Sequence, residues 1–178
     1  MPHLKEIHLS HSITILTEAL SSKRNYTETN KNDFSGEIQT LLELAKTFTS
    51  RNFLDDQKVR SLAMDIIEEL FRTTIDIIIS PASGLVAPRM EDDVRPQGES
   101  NLKLTVALMT YSIIANFTGI PGIVFPVDYD NDTQLPIAIQ LQAAHWREDL
   151  LFRLAKIGER LLPNGRDKPF GYIGSVLD

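Results

Sequence analysis

The side chains in this sequence that could do chemistry are few and scattered. His8 and His11 stand three apart, with Glu6 and Glu18 nearby. Two imidazoles at that spacing could share a metal, but a zinc site needs at least three converging ligands. A surface pair at a helix start is the reading they favour. Asp76 precedes a β-branched run and could serve as an acid or base, although solvated strand starts are commonly acidic. His145, Trp146 and Arg147 form a short polar and aromatic cluster, in which Trp146 is expected to pack under the last helix rather than stack on a ligand. Gly119–Gly122 is not a phosphate loop, since no Lys-Ser/Thr follows and the chain leads into a strand. No Gly-x-Ser-x-Gly elbow is present, so the common serine-hydrolase arrangement has no support.

The elements that must position any site centre on Asn116 to Gln142. Two apolar runs, Ile123–Val127 and Ile137–Leu141, flank a polar loop, Asp128–Gln134. Short runs rich in Ile and Val and bounded by Pro, Gly and Asn-Asp predict buried strands. The loop is too short for a parallel crossover, so these strands should pair antiparallel. Pro121 and Pro126 cannot donate to a ladder and should bracket the first strand.

From the start, His3–Leu9 reads as an edge strand and Ser10 as the N-cap of a helix to about Leu20. The polar stretch 21–36 reads as a flexible solvent loop. Glu37–Phe48 has helical spacing. Asp55 opens a helix with a stripe of Val59, Leu62, Ala63, Ile66, Ile67, Leu70 and Phe71, while Arg60, Asp65, Glu68, Glu69 and Arg72 face away. Asp76–Ser80 predicts a strand buried on both faces. Ser100 can cap a helix over Leu102–Phe117, apolar all round and so buried, with Asn116 buried at its end. That strand, that helix and Ile123–Val127 form a crossover unit with its strands parallel. Glu148–Leu162 predicts a closing helix, acidic at its start and basic near its end as the helix dipole prefers, and stopped at Pro163–Gly165. Residues 170–178 form a tail of low information.

The predicted fold class is α/β, a partial mixed sheet flanked by helices, in one domain over 1–178. The chain has 178 residues, 42% of them hydrophobic, enough for a sizeable core. Its net charge of −6 argues against a nucleic-acid partner. It has no cysteine, which excludes disulfides and thiolate zinc sites. No metal and no cofactor are expected. The sequons at Asn25, Asn116 and Asn131 are read as chance. The first residues lack the apolar core of a signal peptide, and no apolar run is long enough to span a membrane, so an intracellular protein is expected.

Taken together, Asp76 to Pro81, Ala87-Pro88, Gly98 to Asn101, Asn116 to Pro121, Pro126, Leu135-Pro136, Gln140, Trp146 and Leu150-Leu151 stand in an order that resembles the C-terminal part of the amidase signature family. The plant-type fatty acid amide hydrolase branch is the nearest likeness. Each motif alone is weak; their order and spacing make the match specific. The resemblance implies hydrolysis of a carboxylic amide by a lysine–serine–serine triad with a backbone oxyanion hole. In that family these parts lie upstream of the matched region, so no catalytic residue carries over. The one Ser-Ser pair, Ser21-Ser22 beside Lys23, sits in a polar stretch where an exposed lysine stays protonated and cannot act as a base.

The resemblance also implies a substrate wall. The counterpart of Leu102–Phe117 borders the substrate channel, which makes Met109, Ile113 and Phe117 candidate apolar liners and Asn116 a polar contact. Ordinary core packing is the competing reading, and the buried-helix pattern favours it for each. Four family glycines appear here as Asp128, Gln134, Ala138 and Ala143. Alanine adds a methyl where a backbone or ligand comes close, and Asp or Gln must accept turn dihedrals that glycine takes freely. Such changes fit a chain with no active site assembled beside it.

Two functions follow from the resemblance. One is the C-terminal portion of an amidase-like hydrolase, inactive by itself, meeting a small-molecule amide only when the missing half is supplied. The other is a non-catalytic module that binds a lipid amide or pairs with another chain. In either case a cut sheet would leave an open edge for homo- or hetero-association. Peripheral attachment to a membrane is compatible with the resemblance. An independent metal-dependent hydrolase would rest on His8 and His11 alone.

Overall fold

A computed structural model describes residues 2–90, 94 and 101–161. The Ser100 cap, the stop at Pro163–Gly165 and the tail lie outside them. The fold is α/β: helices α1 (Leu4–Thr29), α2 (Gly36–Ala45) and α3 (Ser50–Thr73) precede strand β1 (Ile77–Pro81). Then come α4 (Leu102–Leu108), α5 (Ile113–Thr118), β2 (Gly122–Tyr129), β3 (Pro136–Ala143) and α6 (Glu148–Leu161).

The first helix corrects three expectations. His3–Leu9 is its opening rather than an edge strand, and Ser10 lies inside it rather than capping it. The loop expected over 21–36 is instead the end of α1 followed by a 3-10 turn at Lys31–Asp33. No Pro or Gly occurs between His3 and Ser35 to stop the helix. Its polar end is fastened by the Tyr26 hydroxyl donating to Asp33 at 2.7 Å and by an edge contact between Tyr26 and Phe34.

The third helix starts earlier than Asp55, at a capping box. The Thr49 hydroxyl accepts from the Asn52 N–H, and the Asn52 side chain accepts from the Thr49 N–H. Of its stripe, Ala63 and Ile67 are buried while Leu62 is exposed. Arg60, expected to face solvent, is half-buried. Inside α1, the Ser10 hydroxyl donates to the buried Asp56 carboxylate at 2.8 Å, tying α1 to α3.

The single buried helix expected over Leu102–Phe117 is two short ones. Thr110 donates to the carbonyls of Val106 and Ala107, and Ser112 to that of Met109. The helix breaks at 109–112. The first half is open to solvent at Leu102 and Val106. Gly119 ends α5 at φ 80°, a left-handed position suited to glycine.

The strand order is β1-β3-β2, both pairs antiparallel. The predicted hairpin forms, and β1 and β2 point the same way as a crossover requires, but β3 inserts between them. That makes β1 an edge strand of the described sheet, and it is not buried on both faces: Ile79 is 67% exposed. Pro126 lies within β2, at a register shift between Pro126 and Asp128, rather than beyond its end. As β2 is the other edge, the missing N–H costs no ladder bond.

Two cores result. Ile7, Ala63, Ile113 and Phe117 join α1, α3 and α5, with Val59 and Met109 packed against them. Phe125, Leu141, Ala143 and Leu151 join the sheet to α6. Between the cores, Gln142 donates to the Tyr111 carbonyl at 3.3 Å, and the His145 ring lies 3.2 Å from that of Thr118.

Candidate functional site

An apolar cavity lies where β1 runs into the segment 82–88. Its walls are that segment, Leu108 and Tyr111 from the α4–α5 break, and Pro136, Ile137 and Ala138 at the start of β3, around about 500 Å³. The segment is pinned by backbone bonds from Ala82 N–H to the Ala138 carbonyl and from Gly84 N–H to that of Leu108. Gly84 is required here, because a Cβ would collide with the Ala107 carbonyl. The Ser83 hydroxyl donates to the Leu108 carbonyl at 3.2 Å. Among the described residues no His, Lys, Arg, Asp or Glu belongs to this lining. Such a trough can hold an apolar group.

A second, polar pocket of about 120 Å³ lies between α1, α3 and α5, lined by His11, Thr14, Ile15, Glu18, Arg60, Asn116 and Phe117. Asn116 is exposed rather than buried, and its amide nitrogen lies 2.8 Å from His11 Nε2. The imidazole meets the Phe117 ring edge-on at 5.9 Å. His11 is buried, not part of a surface pair. Burial holds its ring below the ordinary histidine range, and the nearby His8 adds to that. His8 is lowered too, by burial, against a raising contact with the Thr110 backbone.

The four candidate liners thus separate. Ile113 and Phe117 sit in the helical core with Met109 packed against it, while Asn116 and Phe117 also border the polar pocket. None of the four lines the apolar trough, which takes Leu108 and Tyr111 from the same segment. The trough's signal in the sequence is the uncharged run between Pro81 and Pro88. Ser21, Ser22 and Lys23 are exposed on α1. Trp146 is not packed under α6 but 88% exposed, at φ 65° in the turn before it. Asp76 is exposed. Among the described residues no cluster of three or more His, Asp or Glu could hold a metal.

Comparison with known proteins adds the following. The family model "Amidase" matches residues 4–152. The fatty acid amide hydrolase of Arabidopsis thaliana is 32% identical over 92% of this chain and 27% of its own length. That of Medicago truncatula is 31% identical over 97% of this chain and 28% of its own. Among solved structures, an amidase superposes with a TM-score of 0.74 at 17% identity, covering 90% of this chain and 36% of that one. A bacterial aryl acylamidase of the amidase signature enzymes gives 0.72 at 16% identity, covering 90% and 34%. This chain therefore spans little more than a quarter of the length of these curated relatives.

Proposed function

This chain belongs to the amidase family, and we propose that it supplies the scaffold and an apolar substrate wall of a hydrolase for fatty-acid-type carboxylic amides. In this reading the nucleophile and base come from residues outside it. Amide hydrolysis needs an activated nucleophile, a proton acceptor and donors aimed at the oxyanion. The observation that carries the proposal is the trough at 81–88, which sits on the family-matched region and whose described lining is mostly apolar. An aliphatic acyl chain suits such a wall through burial alone, at about 0.8 kcal/mol per methylene.

The test is acyl-chain selectivity. In an assembly in which a second polypeptide supplies the reacting groups, Ala82→Phe should narrow the trough and shift preference from long to short acyl amides. An unchanged chain-length profile would remove the trough from the substrate path.

The second reading is a non-catalytic module that binds a lipid amide or pairs with another chain, and it draws on β1 and β2 being the two edges of the sheet among the described residues. A purified chain that is monomeric, unfolds cooperatively and leaves apolar-surface dyes unbound would favour it over the enzyme portion.

A further inference from the structure

The polar pocket between α1, α3 and α5 is separate from the trough and has no place in the proposal above. Arg60 reaches it from α3, and its Nε is shielded from solvent without a hydrogen-bond acceptor. A buried guanidinium N–H without an acceptor is costly. Thr14, itself buried, accepts from the Gln57 side-chain amide at 3.0 Å, which leaves its own hydrogen to donate. The Asn116 amide nitrogen gives one hydrogen to His11 Nε2 and carries a second. Arg60, Thr14 and Asn116 all line this one cavity. Of the carboxylates nearest Arg60, Glu18 lines the pocket but is exposed, so its field is weakened by water and salt, while Asp56, one turn earlier on α3, is buried and already accepts from Ser10 but does not line the pocket. Ile15 and Phe117 add apolar wall.

We propose that this pocket binds a small aliphatic carboxylate of the size of acetate or propionate, its oxygens held by Arg60, Thr14 and Asn116. A planar carboxylate matches the fork of an arginine. The volume of about 120 Å³ leaves room for a short tail against Ile15 and Phe117. Glu18 disfavours a dianion such as phosphate.

The experiment is a titration of the whole 178-residue chain with sodium acetate, at ionic strength held constant with chloride, following the Arg60 Nε–Hε resonance. A saturable shift is expected. Acetamide, its neutral counterpart, should bind at least about tenfold more weakly, since it gives up a charge-assisted bond. Arg60→Met should abolish the response, and Glu18→Gln should leave it intact or tighten it. Thr14→Val removes one donor without removing charge and should weaken binding about tenfold. It serves where Arg60→Met perturbs the backbone spectrum. A shift that stays linear in acetate, one that acetamide reproduces, or one that survives both Arg60→Met and Thr14→Val overturns the assignment.

Discussion

His11 Nε2 lies 2.8 Å from the side-chain amide of Asn116, a residue 105 positions further along the chain. The contact joins α1 to α5 at the end of a core formed by Ile7, Ala63, Ile113 and Phe117. For the amide to donate, the imidazole must be neutral with its hydrogen on Nδ1.

Acid should therefore loosen the helical half. His8 and His11 both sit below the ordinary histidine pKa when folded, first because of burial. Between the folded and unfolded values the unfolded chain binds more protons, so stability rises with pH. Their contribution is complete above about pH 6.5 and is lost as the pH falls below it. Denaturant unfolding from pH 7.5 down to 5 should show this decline, and His11→Gln should flatten part of it. An identical slope in His11→Gln would mean that the ring carries no such linkage.

Gly158 on α6 faces the Phe125 ring so closely that a Cβ there would lie 2.7 Å from Cζ and nearer still to Cε2. Alanine normally gains about 1 kcal/mol over glycine in a helix. Here Phe125 is buried in the sheet core and cannot swing aside. Overpacking of about 1–3 kcal/mol should win, so Gly158→Ala is expected to lower the melting temperature; a rise would show that the ring yields.

Gln134 stands at φ 56° at the end of the hairpin loop. A side chain in the left-handed region costs about 1–2 kcal/mol, partly offset by the greater flexibility of unfolded glycine. Gln134→Gly should stabilise by about 0.5–1 kcal/mol after that offset, although it gives up the side-chain bond to the Asn131 carbonyl. Thermal unfolding decides the sign.

Both sheet edges carry outward apolar residues, Ile79 at 67% and Val124 at 54% exposure. Open edges of this kind invite strand pairing between chains. Ile79→Lys combined with Val124→Lys should reduce concentration-dependent association in sedimentation velocity. Unaltered association would place the contact elsewhere.

Much of this architecture was legible in the sequence where periodicity and turn chemistry coincide. The runs around Ile123 and Ile137 gave the hairpin, and Glu148 to Arg160 gave α6. The stretch after Leu20 did not announce itself as helix, because residues solvated on every side leave no apolar period to read. Nor did the break at 109–112, which no Pro or Gly marks. That β3 lies between β1 and β2 is a tertiary outcome no local pattern encodes. Phe117 and Asn116, expected as channel liners, border the polar pocket instead, and their meeting with His11, Thr14 and Arg60 depends on three helices converging.

The most direct measurement is turnover of a long-chain primary amide by the purified 178-residue chain, alone and after addition of a polypeptide carrying the lysine–serine–serine groups. No turnover is predicted for the chain alone, and activity for the combination. Turnover by the chain alone, abolished by a substitution within it such as Ser83→Ala, would contradict the account.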